Sequence, residues 1–257
     1  MSHLSIFKNP IDFREAFLVS VKDSSIDEKH LEVIRVFLYY VWRGAFRATG
    51  EILQGRGQPD LNLICLSIYK AFLPIIQVLR LGYSGDALVL LRALMERIAI
   101  LGYLNENQNL IQKYNEGKTN LNKEAMPWAK KYASEHWMLL YGYLSNIAHS
   151  RKEGTASHIF EENPIGNAFL YMLPHSKPNK GSADLVLLMI WYAIGAIDPI
   201  TQKVLHLDEF QTFPNDTTVE KYVSKDDLLT YKKFLAEMTV KYGATQPQIG
   251  SKSKTRP

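Results

Sequence analysis

Residues 185–197 read LVLLMIWYAIGAI, an uninterrupted apolar run closed off by Asp184 and Asp198. A helix needs about 20 apolar residues to cross a bilayer, and this run stops short of that. It therefore reads as the buried helix of a bundle, and no membrane partner is expected. An apolar surface on every side requires other helices on every side.

The rest of the chain supplies them. DEKHLEVIRVFLYYVWRGAFRATGEIL (27–53) opens on an aspartate cap with acids in the first turn, and Leu31, Ile34, Leu38, Val41, Ala45 and Ala48 recur at helical spacing. GRGQPD (55–60) ends that helix. LNLICLSIYKAFLPIIQVLRLG (61–82) is apolar almost all round, which predicts a central position in the bundle, with a bend or short break near 70–74 from Pro74. GYSGD (82–86) is the next turn, with Ser84 or Asp86 as cap, and a further helix runs from Ala87 to Leu104.

A polar stretch at 105–126 predicts a short surface helix and a loop, followed by a helix from Ala125 to His149. Residues 150–182 lose helical period and read as an irregular excursion, with a short strand or hairpin at 168–173. A helix from Ala183, bent or ended near Pro199, and a last one over about 225–242 complete the set. The expected fold is all-α, a single-domain bundle of about seven or eight helices over 26–243, with an N-terminal segment at 1–25 and a disordered tail at 244–257.

Composition narrows the classes of function. With 30 basic and 26 acidic residues the formal charge is +4, which permits an anionic partner without demanding one. The single cysteine, Cys65, excludes an internal disulfide framework and fits the cytoplasm. Its neighbours Leu61, Ile64, Leu66 and Ile68 make it a small core residue, not a nucleophile. Tyr39, Tyr40, Trp42, Phe46, Trp128, Trp137 and Trp191 are likewise expected to pack inside.

Two polar stripes on otherwise apolar helices attract the chemistry. Arg92 and Glu96 lie one turn apart with Tyr103 on the same face further along, and Tyr141, Ser145 and His149 repeat every fourth residue, with Asn146 and Arg151 at the helix end. A buried cation and acid need partners or an open cleft. If the two helices pack antiparallel, Arg92 and Glu96 face Ser145 and His149, combining a titratable base, a carboxylate and a fixed cation. Histidine can shuttle the proton of a ribose 2′-hydroxyl near neutral pH while arginine stabilises charge on phosphate oxygens. The plainer reading of each stripe is architectural: an Arg–Glu bridge between helices and a histidine capping a helix C-terminus.

GYSGDALVLLRALMERIAILGYL (82–104) and YGYLSNIAHS (141–150) together resemble a bacterial family of unknown function carrying an LLRxxxE helix and a later YxxxSxxxH helix end, placed near the HEPN-like helical domains. The resemblance covers about 30–200 and picks out Arg92, Glu96, Tyr141, Ser145 and His149. It implies RNA as partner, metal-independent RNA cleavage as activity, use as a toxin or in phage defence, and a homodimer. HEPN ribonucleases carry an arginine shortly before the histidine; where it would stand before His149 this chain has Leu144, Tyr143 and Gly142, so Arg92 or Arg151 would supply the cation.

Under that reading His149, Arg92, Glu96 and Ser145 are catalytic, Asn146, Arg151, Tyr141 and Tyr103 bind substrate, and no metal or other cofactor is involved. A metal site from His149, His158 and His175 with Glu161 or Glu162 has no standard zinc spacing, GRG at 55–57 lacks the lysine of a phosphate-binding loop, and KSKTR in the tail is a short solubilising run. The competing reading is a non-catalytic helical module that binds a protein or nucleotide partner, its polar stripes fixing helix register.

Overall fold

The computed structural model describes residues 26–81, 83–132, 141–145, 180–206 and 217–242. Every regular element among them is helical: α1 (Glu28–Leu53), α2 (Pro59–Arg80), α3 (Ser84–Glu106), a 3-10 turn (Gln108–Leu110), α4 (Ile111–Asn115), α5 (Asn122–Tyr132), α6 (Lys180–Val204), a 3-10 turn (Thr217–Lys221) and α7 (Lys225–Tyr242). Residues 141–145 are also helical. The all-α bundle is thus the fold. The excursion expected at 150–182 lies outside the described residues as far as 179, and so do the N-terminal segment and the tail.

Local chemistry sets the helix starts. Asp27 caps α1, its carboxylate accepting from the His30 backbone N–H at 3.1 Å. Gln58 caps α2 by accepting from Leu61 N, and Pro59 occupies the first helical position, where its missing donor costs nothing. Between them Gly55 and Gly57 take φ of +64° and +71°, a region that glycine enters without strain. Ser224 caps α7 by accepting from Asp227 N. At α3 the expected serine or aspartate cap is absent: Ser84 is already inside the helix, and Tyr83 precedes it with no side-chain bond.

The helices α7, α1, α2, α3 and α5 are successive neighbours, and α6 lies against α1, α2, α3 and α7. The helix predicted to be central, α2, is therefore not the hub. Leu63 and Leu73 on α2 are half exposed, whereas α6 is buried along nearly its whole length from Ala183 to Ile200. Both α2 and the Ala183–Val204 part of α6 are long and apolar enough to cross a membrane by length and composition alone, but 83% of the α6 stretch is buried inside the protein against 44% for α2. Neither proline breaks its helix: α2 runs unbroken through Pro74, and α6 through Pro199.

Near the start of α1, Asp184 of α6 clasps three helices together, meeting His30 of α1 and Lys241 of α7. His30 is 2% exposed, with Nδ1 2.6 Å from Asp27 Oδ1 and Nε2 3.1 Å from Asp184 Oδ1 on α6, while Lys241 of α7 stands 3.5 Å from Asp184 Oδ2. Burial pushes the Asp184 carboxyl up, but the His30 hydrogen bond and the charges of His30, Lys241 and Lys29 outweigh it, and the group is held below its ordinary 3.8. A carboxyl whose folded pKa is depressed stabilises the fold above the unfolded value and loses that contribution as pH falls through the folded one. The stability gap between wild type and Asp184→Asn is therefore expected to close as pH falls below 3.8, read from urea midpoints across a pH series. A gap of unchanged size below that pH would show that the ionised carboxylate is not what the clasp uses.

Candidate functional site

Along α3, the apolar positions Leu88, Leu91, Leu94, Met95, Ile98 and Ala99 are buried against its neighbours, leaving Arg92 and Glu96 on the helix flank at 23% and 21% exposure. Arg92 Nη2 lies 3.1 Å from Glu96 Oε1, the ordinary one-turn ion pair. Into this pair comes Tyr141, whose hydroxyl donates to the same Glu96 oxygen at 2.7 Å, while the Arg92 guanidinium carbon sits 5.8 Å from the Tyr141 ring centre. Partial burial, and then the bond to Glu96, push the Tyr141 hydroxyl above the usual tyrosine range, so it remains a proton donor. Arg92 Nε is buried and has no hydrogen-bond partner among the described residues.

The approach of Tyr141 to α3 follows from α5. A side chain at Gly102 would overlap the Trp128 indole, so the glycine lets α5 close on α3, and Trp128 Nε1 donates to Glu106 at 2.9 Å. Trp128 meets α3 at residues 102–106, and Tyr141, later in the chain, meets it at 92–96. From Trp128 to Tyr141 the point of contact thus moves back toward the start of α3.

Of the sequence-predicted site residues, the structure brings together Arg92, Glu96 and Tyr141. Ser145 is half-buried one turn beyond Tyr141. Tyr103 packs against the core about 10 Å along the α3 axis from Glu96, seven residues at about 1.5 Å each. His149, Asn146 and Arg151 lie outside the described residues, as do Trp137, His158, Glu161, Glu162 and His175. Among the described residues no group of three histidine, cysteine or acidic side chains could hold a metal ion.

A second polar cluster has no counterpart in the sequence reading. In the core between α1, α2 and α6, Arg43 Nη2 donates to Asp198 Oδ2 at 2.5 Å, Tyr69 OH donates to Asp198 Oδ1 at 3.2 Å, and Thr201 Oγ1 lies 3.0 Å from Tyr69 OH and 3.3 Å from Cys65 Sγ. Arg43 and Asp198 side chains are 6% and 1% exposed. Burial pushes the Cys65 thiol up to about 12, which removes it as a nucleophile at neutral pH, as expected for a core cysteine. The sequence signal was slight, because Arg43 is one of three arginines on α1, with Arg35 and Arg47. This cluster is closed off from solvent, so its chemistry is architectural.

The aromatic expectation holds for Tyr39, Tyr40 and Trp191, all buried, and for Trp128, half-buried against the core. It fails for Trp42 and Phe46, which are 53% and 66% exposed on the outward side of α1.

No family model, curated protein or solved structure matches this chain.

Proposed function

We propose that this is a HEPN-like, RNA-directed protein, a metal-independent ribonuclease serving as a toxin or in phage defence and acting as a cytoplasmic homodimer. The observation that supports this reading is the meeting of Tyr141 with Arg92 and Glu96, since it sets the polar edges of two apolar stretches of chain side by side on the half-exposed flank of α3. His149 follows Tyr141 by eight residues and Ser145 by four.

In this mechanism His149 takes the proton of a ribose 2′-hydroxyl, the 2′-oxygen attacks the neighbouring phosphorus, and the bond to the 5′-oxygen breaks. The leaving 5′-oxygen takes a proton from water, and a 2′,3′-cyclic phosphate remains. Arg92 or Arg151 stabilises the charge on the phosphate oxygens, Glu96 orients Arg92 and Tyr141, and Ser145 with Asn146 positions the substrate. Tyr103 contacts substrate further along α3.

One observation favours a second reading. Glu96 is already closed by both Arg92 and Tyr141, an arrangement sufficient to fix the register of two helices in a non-catalytic module that binds a protein or nucleotide partner.

Purified wild type and His149→Ala, incubated with total tRNA and a structured messenger fragment in EDTA, separate the two. The ribonuclease reading expects wild-type products on a denaturing gel that disappear, by a factor of about 100 or more, in a variant of unchanged Tm. No cleavage by either protein, together with a lowered Tm in the variant, makes the histidine structural and the module non-catalytic.

A further inference from the structure

Trp42, Phe46 and Tyr222 are 53%, 66% and 66% exposed, an unusual grouping of large aromatic surface for the outside of a helical bundle. Trp42 and Phe46 stack one turn apart on α1 at 5.5 Å between ring centres. Tyr222, in the turn that leads into α7, stacks on Tyr39 at 5.5 Å and meets Trp42 at 6.1 Å with the ring planes 50° apart. Each exposed ring is thus buttressed by another, and Trp42 and Tyr222 form an angled corner. Beside this corner, between α1 and the start of α7, lies an open recess of about 480 Å³, floored by Leu38 and Tyr39 and edged by Arg35 and Asp227. That volume falls in the range of small-ligand sites, and its lining follows their usual plan of apolar walls with few polar groups.

Charge decides the class of ligand. Arg35 donates through Nη2 to Glu28 at 2.6 Å and through Nη1 to Asp227 at 2.7 Å. One guanidinium therefore answers two carboxylates, Asp227 at the edge of the recess and Glu28 outside its lining, and this group of three carries one negative charge in excess beside the recess. An anion such as a nucleotide phosphate would have to compete with both carboxylates for that guanidinium. A cation meets the excess charge and, in addition, the negative faces of an indole and a phenol. A bare ammonium ion would surrender strong hydration on entering, whereas a methylated one is already apolar on its surface and suits the Leu38 floor.

We infer that the recess formed by Trp42, Tyr222, Tyr39 and Leu38, with Asp227 at its edge, binds a methylated ammonium group, whether on a small molecule or on a lysine side chain. It shares no residue with the Arg92 cluster, so its failure leaves the ribonuclease reading untouched, and the reverse.

The test titrates the full chain with choline, with choline's neutral carbon isostere, with adenosine monophosphate, and with a short peptide bearing trimethyl-lysine or unmodified lysine. Choline or the trimethyl-lysine peptide is expected to bind about tenfold more tightly than its neutral or unmethylated counterpart. Whichever of the two binds better names the source. Trp42→Leu and Tyr222→Leu alter exposed side chains, so each is expected to keep the wild-type Tm while losing that preference. Equal binding of the isostere, preference for adenosine monophosphate, absence of binding by both cationic probes, or binding indifferent to both substitutions would each overturn the assignment.

Discussion

Asp198→Ala is expected to destabilise the protein by about 3–5 kcal/mol, because it removes the buried carboxylate that the Arg43 guanidinium bonds in the core. For a domain of this size that corresponds to a fall in Tm of roughly 6–20 °C. The cause is desolvation: Arg43 is 6% exposed, its Nη2 bond to Asp198 is 2.5 Å long, and no water layer can replace the carboxylate. The pair itself need not stabilise the fold. Arg43→Met combined with Asp198→Leu, which removes both charges and keeps the volume, is expected to recover most of the loss. Tyr69 retains Thr201 as a partner at 3.0 Å in that background. Urea midpoints for the four proteins of the cycle measure the coupling. A single-variant loss below about 1 kcal/mol would place the pair in solvent contact, where such bridges contribute little.

The second large effect is one of volume, at Gly44. A Cβ there would fall among the ring atoms of Tyr69, and that ring is fully buried with its hydroxyl held between Asp198 and Thr201. Neither partner can give way without breaking the polar cluster. Gly44→Ala is accordingly expected to destabilise by about 1–3 kcal/mol, more than offsetting the roughly 1 kcal/mol that alanine gains over glycine in a helix. Gly50, in the same helix, has nothing within 4 Å of such a Cβ, so Gly50→Ala is expected to have the opposite sign. If the two substitutions move Tm in the same direction, α1 and α2 do not approach as closely as the Tyr69 ring requires.

Much of this architecture was legible in the sequence because it depends on neighbours in the chain. The Asp27 cap, the Gly55–Pro59 break, the buried Cys65 and the last helix over 225–242 all follow from residues a few positions apart. Which apolar helix lies at the centre does not. The stretches around Leu63 and Leu187 are comparably hydrophobic, and only the packing of other helices leaves Leu63 half exposed and Leu187 fully buried. Trp42 and Phe46 mislead for the same reason: they adjoin the apolar stripe of α1, and the helix flank they occupy is left uncovered.

In the candidate site, spacing alone put Arg92 and Glu96 on one stripe and Tyr141 on another, since each stripe is a property of one helix. The meeting of the two is a tertiary contact that spacing does not contain. Arg43 is one of three arginines on α1, with Arg35 and Arg47, and its partner Asp198 is 155 residues away, so no local pattern singles it out. The exposed corner of Trp42 and Tyr222 was invisible for a related reason, as it joins α1 to the turn before α7.

The position of α6 has a consequence for the order in which the molecule is made. α1, α2 and α3 are synthesised first and pair with one another, yet α6, which packs against all three, is not complete until residue 204 has left the ribosome. Until then the nascent chain lacks both the apolar surface of α6 and the Asp198 carboxylate that Arg43 bonds, and bringing them in requires a contact across most of the chain. Folding of this protein is therefore gated by the arrival of its penultimate long helix. A translational pause before that point would prolong the interval in which the chain depends on chaperones.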